Sequence, residues 1–124
     1  MQRLKSKKGF ERLRQCTQKV VGKYFILVYL FDESIIAPCV GLTVSKKVGN
    51  AVVRNKVKRR LRSCLHEIDK KCNSMTTSQP PLPSSTLCNI IALPSVVNLN
   101  WMKFKSEIET LLEKICLYYR NLPC

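Results

Sequence analysis

One stretch constrains the fold more than any other part of the chain: residues 41–62, which read GLTVSKKVGNAVVRNKVKRRLR. A short apolar segment ends at Val44, two lysines and a glycine follow, and a pattern typical of a helix begins near Asn50. This order predicts a strand, a basic turn and a basic helix. Asn50 suits the N-cap position and Gly49 suits a bend before it, so the first amide groups of the helix would point outward beside the lysines. The stretch therefore predicts a phosphate site.

A spacing of 100° per residue divides the predicted helix into an apolar face and a basic face. The apolar face, which predicts contact with a hydrophobic core, consists of Val53, Val57, Leu61, Cys64, Leu65 and Ile68. The opposite face carries Asn55, Lys58, Arg59 and Arg62. Eight lysines and arginines lie between Lys46 and Arg62 with no acidic residue among them, so no ion pair within the helix relieves their repulsion. We therefore expect an external anionic partner.

The whole chain is basic, with 22 lysines and arginines against 8 acidic residues and a formal net charge of +14. This excess predicts a polyanionic partner. Nucleic acid is favoured over a membrane surface, because the positive charge is interleaved with strand and helix patterns. The length of 124 residues, without a break in composition, predicts a single domain over residues 1–124.

Several classes of site are disfavoured by the residue types. The seven cysteines are odd in number, contain no C-x-x-C motif and are accompanied by a single histidine, His66, so we expect reduced core residues and no metal site. The longest apolar run, residues 24–31, is too short to cross a bilayer, and no small-residue cleavage site follows it, so we expect a cytoplasmic protein. No pair of carboxylates, activated nucleophile or phosphate-binding glycine motif is present, so we expect no catalytic residues.

The N-terminal half predicts a short helix followed by strands. Phe10 and Leu13 fall at helical spacing. Residues 23–31 are continuously apolar and aromatic, as expected of a central strand. Residues 35–44, interrupted at Pro38, predict one bent strand or two short ones, paired antiparallel with the preceding strand because the connection is short.

The C-terminal half predicts a loop, a strand and a helix. Residues 72–86 are rich in Ser, Thr and Pro and predict a flexible loop insertion. Residues 87–93 predict the last strand, and Asn100 suits the N-cap of a final helix. The apolar stripe of that helix, which would pack on the sheet, consists of Trp101, Phe104, Ile108, Leu111, Leu112, Ile115 and Tyr119.

Residues 45–62, SKKVGNAVVRNKVKRRLR, closely resemble the signature of the bacterial ribonuclease P protein subunit, typically S-K-K-x-G-N-A-V-x-R-N-R-x-K-R-x-x-R. Phe10 also matches the aromatic of the family's L-K-x-x-x-x-F opening. Two positions differ from the family pattern. Lys56 stands in place of an arginine, which keeps the charge but loses the planar fork, and Arg14 stands where a second aromatic is common, although a guanidinium can also stack on bases.

The resemblance implies a protein that assists a catalytic RNA. In ribonuclease P the RNA subunit carries the active site and requires magnesium ions, and the protein helps to remove the 5′ leader from precursor tRNA. The resemblance further implies a 1:1 assembly and an α+β fold, with a mixed four-stranded sheet and helices in the order αβββαβα. It also implies a left-handed crossover through the central helix, against the usual right-handed rule.

The resemblance implies two sets of RNA contacts. The residues expected to bind the ribonuclease P RNA are Lys46, Lys47, Arg54, Asn55, Lys56, Lys58, Arg59 and Arg62. The residues expected to line a cleft for the precursor tRNA leader are Phe10, Arg14, Tyr24 and Phe25. Residue type alone favours a core role for Phe10, whereas the resemblance favours stacking on a base.

Three other functions are compatible with a basic helix. The main alternative is a general RNA chaperone or ribosomal-type protein that uses the same basic surface without a catalytic RNA. A DNA-binding helix-turn-helix protein is disfavoured, because strands and not a helix precede the basic helix. A membrane-surface helix is disfavoured, because its apolar face is needed for the core.

Overall fold

A computed structural model of the chain describes residues 2–4, 7–15, 18–72 and 82–121. Its strands are β1 (Gln2–Arg3), β2 (Lys19–Val21), β3 (Phe25–Phe31), β4 (Cys39–Val44) and β5 (Thr86–Ala92). Its α-helices are α1 (Lys7–Arg14), α2 (Ala51–Cys72) and α3 (Trp101–Arg120), and a 3₁₀-helix spans Pro94–Asn98. Strands β2 to β5 form the mixed four-stranded sheet, and β1 adds a two-residue edge. The predicted α+β class and the order αβββαβα are confirmed.

The strands lie in the order β1-β4-β5-β3-β2. Strand β5 pairs antiparallel with β3 and parallel with β4. The predicted antiparallel pairing of β3 with β4 is therefore wrong, because β5 lies between them. The connection over residues 32–38 is long enough to pass an intervening strand. Helix α2 supplies the crossover between the parallel strands β4 and β5. The left-handed sense of this crossover connection stays a prediction.

Helices α2 and α3 cover one face of the sheet and form the core with it. The residues of β3 that point to this face are Phe25, Leu27 and Tyr29. Phe25 is fully buried and meets Phe104 of α3 edge to face, with 5.1 Å between ring centroids. The predicted apolar faces of α2 and α3 are confirmed, except that Tyr119 is 43% exposed near the end of α3.

Helix α1 lies on the opposite face of the sheet, against β3 and β5. Leu13 is buried there. Arg12 Nη2 donates a hydrogen bond of 2.8 Å to Asp32 Oδ2, which ties α1 to the turn after β3. On this face Ile26, Val28 and Leu30 remain only half-buried. The short helix therefore leaves part of the sheet accessible.

The N-cap residues in the sequence correctly predicted where both long helices begin. Asn50 Oδ1 accepts from the Val53 amide at 3.0 Å, and Asn100 Oδ1 accepts from the Lys103 amide at 2.8 Å, so both predicted N-caps are confirmed. Most of the predicted loop over residues 72–86 lies outside the described residues. Leu82, within its described part, is fully buried.

Candidate nucleic-acid interface

The residues predicted to bind the ribonuclease P RNA lie on the turn after β4 and on the first half of α2. We call this surface the basic face; it consists of Lys46, Lys47, Arg54, Asn55, Lys56, Lys58, Arg59 and Arg62. Lys58 and Arg54 are half-buried and the other six are exposed. No acidic residue interrupts this segment, so the basic face presents an unopposed positive charge along two turns of helix.

The turn before α2 is held by backbone contacts and by one buried side chain. Val48 is 6% exposed, and its amide donates to the Ser45 carbonyl at 3.1 Å. Gly49 has a φ of +159°, and a Cβ atom at this position would lie 3.0 Å from Cβ of Val53. With Asn50 as the N-cap, the start of α2 and its positive helix dipole lie beside Lys46. This arrangement suits an RNA phosphate.

Two arginines of α2 differ from their neighbours in what they contact. Arg60 Nη1 donates to the Leu99 carbonyl at 3.1 Å, which ties α2 to the segment before α3, so Arg60 has a structural contact. Arg54 is half-buried, and its Nε is buried without a hydrogen-bond partner among the described residues. The side chain of Arg54 is therefore less accessible to RNA than the side chains of Asn55 and Lys56.

Sequence reasoning missed Arg3. Strand β1 pairs in parallel with β4, and this places Arg3 in a shallow pocket with Arg62 and His66 of α2. Arg3 therefore adds a positive charge beside Arg62 at the edge of the sheet, where Asp69 of α2 lines the same pocket. The sequence carries no periodic signal for a strand of two residues, so its basic N-terminal segment alone could have drawn attention to this position.

The second surface lies between α1 and the sheet. We call it the cleft, and it is built from Phe10, Gly41, Thr43 and Asn89. A Cβ atom at Gly41 would lie 2.7 Å from Cε1 of Phe10, so the aromatic ring rests directly on the backbone of β4. Phe10 is half-buried, which means that its ring packs on the sheet and also presents surface to solvent. Glycine at position 41 is what permits this approach.

A polar pair lies beside the Phe10 ring. Thr43 Oγ1 donates to Asn89 Oδ1 at 3.1 Å. Among the described residues, the NH₂ group of Asn89 has no hydrogen-bond partner. This group can therefore donate to a base or a phosphate. Sequence reasoning missed the pair, because a lone Asn in an apolar strand carries no local signal.

The structure does not bring all predicted cleft residues together. Arg14 is exposed and lies one helical turn after Phe10, on the same side of α1. The placement of Phe25 in the cleft is wrong, because its ring points to the opposite face of the sheet and is fully buried. Tyr24 lies at the end of the sheet, half-buried and packed against the core, and its carbonyl accepts from the Leu93 amide at 2.9 Å. Tyr24 therefore does not line the cleft beside Phe10.

Comparison with known proteins shows which family the chain belongs to. The sequence profile of the family Ribonuclease P matches residues 1–116. The chain belongs to the ribonuclease P protein family. It is 31% identical over 121 residues to the ribonuclease P protein component of Streptococcus gordonii, a match that covers 98% of this chain and 92% of that protein.

Two further relatives agree. The chain is 42% identical over 69 residues to the ribonuclease P protein component of Streptococcus thermophilus, a match that covers 56% of this chain and 61% of that protein. The RNase P protein of Staphylococcus aureus has the same fold, with a TM-score of 0.73, 23% identity, and coverage of 94% of this chain and 98% of that one. These relatives support a protein component of ribonuclease P and give no support to a general RNA chaperone.

No helix within the described ranges of this ribonuclease P protein is long and apolar enough to cross a membrane.

Proposed function

We propose that the chain assists the RNA subunit of ribonuclease P in removing the 5′ leader from precursor tRNA, and that its two surfaces share this task. The basic face lies on α2, which packs on the face of the sheet that contains Val40. The cleft lies on the other face, where Phe10 covers the adjacent residue Gly41. The protein can therefore contact two RNA segments at once. This separation by the sheet is the observation that supports the proposal.

The basic face would bind the RNA subunit mainly by electrostatic attraction. Each phosphate that it neutralises releases condensed counterions, so the affinity should fall with salt, with a logarithmic slope of about 0.7 to 0.9 per phosphate. A single continuous surface on one helix suits a 1:1 complex. The protein itself would supply no catalytic group. The RNA subunit would hold the magnesium ions, and the protein charge would lower the concentration of magnesium that the RNA requires.

The cleft would bind the leader as a single strand. An accessible aromatic ring can stack on any base, which contributes about 1 to 3 kcal/mol per base. Phe10 offers this ring, Arg14 offers a guanidinium on the same side of α1, and Asn89 offers a free donor at the floor of the cleft. These groups suit a leader of varied sequence, because stacking does not depend on the identity of the base.

We place this function in the cytoplasm. Cys64 and Cys88 are buried in the core as thiols, which suits a reducing compartment.

Cleavage of precursor tRNA at low magnesium tests the proposal. The reaction is compared for the protein alone, a bacterial ribonuclease P RNA alone, and the two together. We expect efficient cleavage at the mature 5′ end only in the mixture, because on this proposal the protein supplies no catalytic group and the RNA alone needs more magnesium. Cleavage by the protein alone, or no stimulation of the RNA, would contradict the proposal.

Variants then separate the two surfaces. Arg59→Ala and Arg62→Ala should weaken binding to the RNA subunit and reduce its salt dependence, because each removes one phosphate contact. Phe10→Ala should weaken binding of precursor tRNA and leave mature tRNA unaffected. Lys114→Ala removes an exposed charge from α3, outside both surfaces, and serves as the matched control. Equal effects of Lys114→Ala and Arg59→Ala would show that only total charge matters.

A further inference from the structure

A groove lies between the first half of α2 and the start of α3, beside the basic face, with which it shares two residues. We call it the tryptophan groove; it is lined by Val52, Lys56, Arg59, Arg60, Ser63 and Trp101. Lys56 and Arg59 belong to the basic face, whereas Trp101 comes from α3. Three of the six lining residues are basic and none is acidic. The groove therefore combines positive charge with an aromatic ring.

The indole of Trp101 is held by two side chains of its own helix. Its ring stacks on Phe104 with 5.7 Å between centroids and an interplanar angle of 26°. Phe104 is fully buried, so this contact anchors the indole to the core. Lys105 Nζ lies 5.6 Å from the centroid of the indole. Trp101 is only half-buried, and its remaining surface opens into the groove. A ring held in this way can stack on a ligand with little further loss of conformational entropy.

Two exposed apolar side chains lie in the first turns of the two helices, and one of them, Val52, lines the groove together with the indole. Val52 is 75% exposed in the first turn of α2, and Met102 is 74% exposed in the first turn of α3. Neither belongs to the core, although both follow an N-cap at the start of a long helix. Apolar surface beside the basic residues Lys56 and Arg59 matches the base and the phosphate of a nucleotide.

We propose that the tryptophan groove binds an unpaired nucleotide of the RNA subunit, with its base against Trp101 and Val52 and its phosphate near Lys56 and Arg59. The RNA subunit is chosen over the leader because the groove continues the basic face, while the cleft lies on the opposite face of the sheet. This inference rests on the proposed function, since it assumes that the basic face meets the RNA subunit.

The fluorescence of the full-length chain provides a direct test, because Trp101 is its single tryptophan. A bacterial ribonuclease P RNA is titrated into the protein, and binding is measured in parallel by filter retention of the labelled RNA. We expect the indole emission to be quenched along the same binding curve, and Trp101 to become protected from acrylamide. RNA binding without either change would overturn the proposed nucleotide site in the groove and leave the proposed function intact. No RNA binding at all would overturn both.

A second titration with a single-stranded leader oligonucleotide separates the two RNA sources. Quenching by the RNA subunit but not by this oligonucleotide is the expected result. Quenching by the oligonucleotide alone would overturn the assignment to the RNA subunit.

Two variants test the groove by affinity. Trp101→Leu should weaken binding of the RNA subunit by about 5- to 150-fold, the equivalent of one stacked base. Val52→Glu should also weaken binding at least tenfold, because it places a carboxylate in the groove. Its exposed position in the first turn of a helix favours an acidic residue, so folding should be preserved.

Leu117→Glu is the matched control for Val52→Glu. It introduces the same charge at a 55% exposed apolar position of α3, about 24 Å along the helix from Trp101. Circular dichroism and thermal unfolding verify the fold of each variant. Equal loss of affinity in Val52→Glu and Leu117→Glu would mean that only net charge changed, and this result would overturn the proposed nucleotide site.

Discussion

Replacing Gly41 by alanine should weaken leader binding without disrupting the fold. The new Cβ would lie 2.7 Å from Cε1 and 2.8 Å from Cζ of Phe10, whereas ordinary contacts begin at 3.4 Å. Asn89 Oδ1 would lie 3.2 Å away, which is also closer than an ordinary contact. Phe10 is half-buried on the short helix α1, so its ring can move outward to relieve this contact. We expect this adjustment to cost about 1 kcal/mol, at the low end for overpacking.

The functional effect should exceed the effect on stability. A ring displaced from the sheet no longer has a fixed position for stacking, and stacking contributes about 1 to 3 kcal/mol per base. Since 1.4 kcal/mol corresponds to a factor of ten in affinity, loss of about half of this contribution predicts about two- to twelvefold weaker binding of precursor tRNA. Binding of mature tRNA should not change, because it has no leader.

The measurement is the Kd of the assembled protein and RNA subunit for precursor tRNA and for mature tRNA. A double-mutant cycle with Phe10→Ala provides the control. Once the ring is absent, the Cβ of Gly41→Ala meets no aromatic carbon, so the second substitution should have no further effect on leader binding. Equal losses for both substrates, or additive effects of Gly41→Ala and Phe10→Ala, would refute the role of the ring in the cleft.

Three predictions concern the fold. Asp32→Asn should destabilise the protein at neutral pH, because hydrogen bonds from Ser34 and Arg12 lower the pKa of Asp32 from 3.8 to about 2. Stability from this carboxylate is lost as the pH falls through that interval, so urea unfolding should show the wild type and the variant converging near the lower value. Cys64 and Cys88 should resist iodoacetamide at mildly alkaline pH, as mass spectrometry can show, because burial raises the pKa of each thiol to about 12. Asn50→Ala should lower the free energy of unfolding by about 1 kcal/mol in chemical denaturation, through loss of its bond to the Val53 amide.

Features with local causes were predictable from the sequence. The start of α2 depends on Asn50 and the residues that follow it, and its buried face depends on a spacing within the helix itself. The basic face was predicted for the same reason, because its residues are brought together by helical periodicity alone. The exception is Arg54, whose half-buried position depends on the packing around it.

Features that depend on distant residues were not predictable. A continuous apolar run such as β3 does not indicate which side chains point to which face, so Phe25 could not be told from Ile26. The insertion of β5 between β3 and β4 depends on pairing across the length of α2. The polar pair in the cleft joins Thr43 to Asn89, which are 46 residues apart in the chain. Strand β2 is too short for a reliable alternation pattern.

Strand β3 is apolar along its whole length because side chains on both faces of the sheet are at least partly buried. Phe25, Leu27 and Tyr29 are buried under α2 and α3, whereas Ile26 and Val28 form a half-buried surface on the side of α1. Arg14 is the one charged residue that we assign to leader binding, so the leader would be held mainly by stacking and hydrogen bonds, while the basic face supplies electrostatic affinity. Salt should therefore separate the two contributions. Affinity for the RNA subunit should fall steeply with ionic strength, but the ratio of affinities for precursor and mature tRNA should change much less. A ratio that falls as steeply as the affinity itself would show that leader binding also depends mainly on charge.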